Sequence, residues 1–289
     1  MAGGLDMVSF RYHVTSLAAA LLALAVGIVV GTTSISAEPA PARVPSAAAP
    51  VAPAASGDDL AARLQSRVLR GALPDQRVLI LLAPDAPAGS ARTVAAALRS
   101  AGASVTGQVH LLPTLLDPSG QETVDGVVAG TAPAGVALPS GSLARAGALL
   151  ASALVTSSQG KDVSGLAEQK LFGGFTGGGL VSFEGPAPTN KATLVLVLAG
   201  QARGPALALL ASAFQSRVGT VVAAPTAAAQ GRGVIAALRS GDGKVSDVDG
   251  LGSSTGLLGT VLALAEQAAG GSGHYGTGPG ADAVVPSAG

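Results

Sequence analysis

Residues 192–200 read ATLVLVLAG, and their unbroken LVLVLA core decides the fold class. A strand with one wet face alternates apolar and polar residues, whereas an apolar run of strand length is covered on both faces. The loop QARG (201–204) follows. Next come a helical stretch, PALALLASAF (205–214), with Leu207, Leu210 and Phe214 on one side, and a second strand, VGTVVAAP (218–225). The same order occurs earlier in the chain. RVLILLA (77–83) is a strand, PDAPAG (84–89) a turn, the next stretch a helix with Val94, Leu98 and Ala101 on one face, and SVTGQVHLL (104–112) a strand. Two βαβ-like units of this kind predict a three-layer α/β domain, Rossmann-like, with a mainly parallel sheet.

Outward from these units the signals thin. VDGVVAG (124–130) reads as a further strand, residues 142–155 as a helix, and GGFTGGG (173–179) as a flexible loop. Later, GRGVIAALRS (231–240) gives a short helix and KVSDVDG (244–250) a turn or edge strand. STGLLGTVLALAEQAAGG (254–271) predicts a long helix capped by Ser254 or Thr255 and stopped by Gly270. Upstream, Asp58 or Asp59 caps a helix through LAARLQSRVLR to Gly71, with Leu60, Leu64 and Val68 on its inner face. The domain is therefore expected over residues 58–275, with a loose tail over 276–289.

Residues 14–31, VTSLAAALLALAVGIVVG, open on Val14, close on Gly31 and carry no charge. At about 1.5 Å per residue they reach across the bilayer core once. Arg11 precedes the run, while Glu38 opens the region after it and Arg43 is the first basic residue there. The positive-inside tendency thus places residues 1–13 in the cytoplasm and the domain outside. A cleaved signal peptide is the other reading, since TTSISA (32–37) offers a small-residue site near Ser36 or Ala37. Residues 32–57 are a Pro/Ala-rich linker, carried by EPAPARVPSAAAPVAPAAS (38–56).

Composition narrows the function classes. Seventeen basic and seventeen acidic residues cancel without a Lys/Arg cluster, and aromatics are 2% of the chain, so nucleic acid is excluded as a partner. The absence of Cys removes disulfides, thiolate metal sites and cysteine nucleophiles. Thirteen Arg against four Lys, with abundant Ala, Gly and Pro, fits a GC-rich actinobacterial source.

The opening VSFRYHVTSLAAALLALAVGIVVG (8–31) resembles the N-terminal signature of the MctB-type copper transporter family. The closing VSDVDGLGSSTGLLGTVLALAEQAAGGSGHYGTGPGADAVVP (245–286) is similar to that family's last segment: a Val-Asp turn, a Leu/Ala helix, then GHYG and a Gly-rich, acidic end. The resemblance covers most of the chain. It implies an envelope protein that keeps internal copper low, with copper as the transported species and an outer-membrane location. Such proteins usually follow the anchor with a charged, heptad-like helix, and the Pro/Ala linker here departs from that pattern.

The residues test this implication. A copper-transfer site needs Cys, Met or His brought together. Here Met occurs only at Met1 and Met7, and His only at His13, His110 and His274, with no ligand spacing between any two. His274 in GHYG is the single metal candidate; the competing reading is a turn residue that caps or packs. No cofactor is indicated. Uniform apolar strands and scarce Trp and Tyr do not read as an outer-membrane barrel, so transport would need a homo-oligomer or a separate envelope channel. Enzyme machinery is not expected. AGQARG (199–204) offers amides and Arg203 to an anion but is neither a dinucleotide fingerprint nor a P-loop, and Arg203 reads as a solvated loop residue. Asp247 and Asp249 fall short of a calcium loop and read as turn formers. The alternative function is a structural or interaction module of the envelope.

Overall fold

A computed structural model describes residues 61–62, 67–134, 136–156, 162–241 and 243–287. The predicted anchor, 14–31, lies outside the described residues, as do residues 1–13 and the linker 32–57. No helix among the described residues is long and apolar enough to cross a membrane.

Among the described residues seven strands form one sheet: β1 Arg77–Leu82, β2 Ser104–Leu111, β3 Val181–Phe183, β4 Leu194–Leu198, β5 Gly219–Ala224, β6 Ser246–Asp249 and β7 His274–Tyr275, in the order β3-β2-β1-β4-β5-β6-β7. Every pairing is parallel except β2 with β3. β4, the stretch that decided the fold class, is buried at all five positions and runs between β1 and β5, with Val78 opposite Leu194 and Leu194 opposite Gly219.

Helices cover both faces. On the first lie α2 Pro113–Leu116, α3 Gln121–Thr131, α4 Ser142–Leu154, α5 Leu166–Gly177, α6 Gly204–Gln215 and α7 Val234–Arg239. On the second lie α1 Ser90–Ser100 and α8 Ser254–Ala268. Alternate strand residues feed the two cores: Val195 and Val197 the first, Leu194, Leu196 and Leu198 the second. The expected inner faces hold, since Val94, Leu98 and Ala101 of the α1 region and Leu207, Leu210 and Phe214 of α6 are all buried.

The less regular stretches required correction. Residues 124–130 are helical, within α3, because Val124 and Val128 recur at helical period. GGFTGGG is no flexible loop: Gly173–Gly177 finish α5, where Leu171, Phe172 and Phe175 are buried at a spacing the glycines masked. KVSDVDG contributes β6, which is neither turn nor edge because β7 pairs outside it. The cap of α8 is Ser253, whose side chain accepts from the Gly256 amide, rather than Ser254 or Thr255. Near the domain's start Val68 is 43% exposed, and Leu69 and Leu73 take the inner place; Leu60 and Leu64 lie outside the described residues.

The joint between α4 and β4 is electrostatic. Lys191 Nζ donates to the carbonyls of Ser152 (2.9 Å), Ala153 (2.7 Å) and Val163 (2.9 Å), closing the C-terminus of α4 with a cation. Burial pushes its ammonium below the usual lysine range.

Three connections share one hand. β4–α6–β5 and β5–α7–β6 step outward with helices on the first face, and β1–α1–β2 steps the other way with its helix on the second. β6–α8–β7 steps outward but keeps its helix on the second face, so its hand is reversed. Reversed crossovers are rare, and the strand it delivers has two residues. Side chains must hold what so short a ladder does not.

Candidate functional site

Two of the charged groupings among the described residues bear on a candidate site: one at the carboxyl ends of β1 and β4, and one at the closing edge of the sheet at β6 and β7.

After β1 the chain leaves toward the second face, and after its neighbour β4 toward the first. This is the topological switch point at which doubly wound folds take ligands. The crevice is occupied from within. Asp85, in the loop after β1, accepts from the Ala202 amide at 2.7 Å. Gly200 makes this possible, because a Cβ there would overlap the Asp85 backbone and carboxylate. Arg203 takes a left-handed conformation at φ 60°, which is uncommon for a residue with a side chain. Its Nε donates to Asp117 Oδ1 at 2.6 Å and its Nη2 to Oδ2 at 3.1 Å. Arg203 holds the Asp117 carboxyl below the usual carboxylate range, and Asp117 raises the guanidinium in turn. The expected solvated loop residue is thus a bidentate partner, since the turn before Pro118 brings Asp117 to it. A phosphate set against the AGQARG amides would meet the Asp85 carboxylate already bound there.

The second place is built by β6. A period of two puts Asp247 and Asp249 on the face that α7 covers, while Val248 enters the other core. Arg239, the last residue of α7, reaches both. Its Nε donates to Asp247 Oδ1 at 2.8 Å and its Nη2 to Asp249 Oδ2 at 3.0 Å. The same guanidinium donates to the carbonyls of Tyr275 (2.8 Å) and Pro279 (2.8 Å). The two carboxylates are fully buried and the arginine side chain is 5% exposed. Asp249 also accepts the amides of Thr277 and Gly278, each at 2.9 Å. Gly276, at φ 127°, lets the chain pass, because a Cβ there would overlap the Asp249 carboxylate.

These bonds correct two expectations. Asp247 and Asp249 are not turn formers but buried ion-pair partners. The tail from residue 276 is not loose as far as residue 287, because Asp249 and Arg239 pin its start and the Gly276 amide bonds to Ala283. Sequence reading passed over Arg239, Asp85 and Asp117. Only the basic end of a short helix, eight residues before a Val-Asp alternation, signalled the first.

His274 opens β7. Its Nδ1 lies 2.5 Å from Asp247 Oδ2, and its amide donates to Asp282 Oδ2 at 3.0 Å. Burial raises the Asp247 carboxyl above its ordinary range, while Arg239 and His274 oppose that shift. Tyr275 donates its hydroxyl to Glu266 Oε2 at 2.6 Å, and burial pushes the phenol upward. The His274 side chain is 24% exposed, so a carboxylate orients one ring nitrogen and the ring can offer Nε2, an arrangement familiar behind metal-bound imidazoles. It offers a single nitrogen: among the described residues no three His, Cys, Asp or Glu are grouped to hold a metal ion. His110 lies within β2 and pairs with Glu184 at 3.8 Å, far along the sheet order from His274; His13 lies outside the described residues.

The described residues thus form a doubly wound α/β domain whose switch point is closed by its own carboxylates and whose last strand is fastened by a buried charge cluster. By sequence the chain belongs to the family described as copper transport outer membrane protein, MctB, whose profile matches residues 7–286. It is similar to the copper transporter MctB of Mycobacterium bovis, with 27% identity over 313 aligned positions covering 97% of this chain and all of that protein. The copper transporters MctB of two Mycobacterium tuberculosis strains match to the same extent.

Proposed function

We propose that this protein is a membrane-held component of copper traffic in an actinobacterial envelope, which keeps internal copper low as part of an assembly and without enzymatic turnover. The observation that carries the reading is the family match along residues 7–286. The bilayer is engaged through residues 14–31, with the α/β domain outside the cytoplasm, and the family description favours the outer membrane. Copper is cargo rather than a resident cofactor. Among the described residues the sheet is covered by helices on both faces, which supports assigning passage to a homo-oligomer of the anchored domain or to a partner channel. His274, with its ring set by Asp247, is the candidate among the described residues to touch the ion in transit.

A second reading, a structural or interaction module without transport, draws support from the self-filled switch point. Elemental analysis of internal copper separates the two. A strain lacking the protein should accumulate copper, wild type should restore the low level, and His274→Ala should restore it incompletely if the imidazole handles the ion. Unchanged copper in the deletion strain would sink the transport reading.

A further inference from the structure

The switch point is filled, but a second cleft at the same end of the sheet is open. It lies on the second face, between the first turns of α1 and α8, and encloses about 430 Å³. Three of its properties point the same way. First, Arg92 lines it, is exposed, and its side chain makes no hydrogen bond or ion pair among the described residues, in contrast to Arg203 and Arg239; no described acidic residue lines the cleft. Second, Ser90 lines it and its Oγ is a buried donor without a partner. Buried hydroxyls are nearly always bonded, so an orphan donor beside a cleft points to a missing acceptor. Third, helices of 11 and 15 residues begin on opposite walls. No side chain caps α1; the Ser90 amide bonds to the Pro87 carbonyl, and the amides of Ala91 and Arg92 add partial positive charge beside the Arg92 side chain. Ser254 supplies a hydroxyl from the α8 side, where Ser253 is engaged as the cap of α8, and Leu251 and Leu257 supply an apolar wall.

We propose that this cleft binds a phosphomonoester, with its phosphate between Arg92, the Ser90 hydroxyl and the free amides of α1, and its organic remainder against Leu251 and Leu257. A guanidinium, hydroxyls from both walls and the free amides of α1 suit a tetrahedral dianion. The apolar wall distinguishes an ester from the free ion. The phosphate could come from a soluble metabolite or from a lipid headgroup, and the chemistry of capture is the same for both.

The test uses the full chain in neutral detergent, with phosphorus NMR line broadening of inorganic phosphate, of glycerol phosphate and of a water-soluble short-chain phosphatidic acid at constant ionic strength. Saturable binding of at least one probe is expected, weakened about tenfold or more by Arg92→Gln, which corresponds to about 1.4 kcal/mol. Ser90→Ala should weaken it measurably. Arg99→Gln, on the same helix but outside the cleft, should leave it unchanged. Tighter binding of glycerol phosphate than of inorganic phosphate supports a soluble ester, and binding of the short-chain phosphatidic acid alone supports a lipid headgroup. No saturable binding of any probe overturns the proposal, as does binding indifferent to both Arg92→Gln and Ser90→Ala. Circular dichroism reports whether Arg92→Gln folds; should it not, Ser90→Ala decides alone.

Discussion

Arg203 at the switch point and Arg239 at the closing edge do the same thing in different surroundings. Each spans the gap between a helix end and a carboxylate on another element. Arg203 and Asp117 keep 26% and 33% of their side chains in water, while Arg239 and its two partners keep 5% and 0%. In water the loss of such a pair is cushioned by solvent, and exposed pairs contribute little. In the dry interior each member depends on the others, because an abandoned charge has no substitute partner. One motif is therefore a latch on a loop, and the other is part of the fold.

The comparison breaks if removal of Arg239 is mild. Arg239→Ala strands two buried carboxylates and frees the carbonyls of Tyr275 and Pro279, so a loss of about 3–5 kcal/mol is expected. Denaturant unfolding of the full chain followed by circular dichroism measures it, and limited proteolysis should cut after residue 275. A smaller effect is expected within the same region from Tyr275→Phe, which leaves Glu266 Oε2 without its donor and should cost about 1 kcal/mol. Equal losses from the two variants would place the anchoring in the α8 contact rather than in the charge cluster.

The smallest effect is also the sharpest in sign. Asp117 titrates below its ordinary range, so the stability it contributes is present above that range and lost as pH falls through its folded value. Asp247 titrates above its ordinary range, so its contribution is fullest below that range and lost as pH rises through its folded value. Carbon-13 titration of aspartate carboxyls should show the two moving in opposite directions. Arg203→Gln should return Asp117 toward the ordinary value with little change in the unfolding midpoint. Parallel shifts would mean that burial does not distinguish the two pairs.

The parts of this organisation that sequence revealed were those governed by period. LVLVLA, RVLILL and the faces of α1 and α6 obey single repeats that need no knowledge of neighbours. α5 was misread because Gly173, Gly174, Gly177 and Gly178 carry loop propensity, which burial of Leu171, Phe172 and Phe175 overrides. The charge cluster stayed hidden for another reason. Asp247 and Asp249 looked like turn formers by type, and only the arrival of Arg239 from α7 turns two acids into strand residues that can be buried. Asp85 and Asp117 were equally silent, because filling a crevice depends on distances that no local pattern records.

The central joint also sets a timetable for folding. The Arg77 amide donates to Thr193 Oγ1 across 116 residues, while every bond linking Arg239 to Asp247, Asp249 and Tyr275 closes within 36. Loops of such unequal length close at unequal speed, and pairings distant along the chain slow the rate. The closing edge can assemble from its own stretch of chain, whereas β1 must wait for β4. A folding chain would then expose the unpaired edge of β1, the most apolar strand of the N-terminal half, for as long as the middle segment takes to bring β4 alongside it.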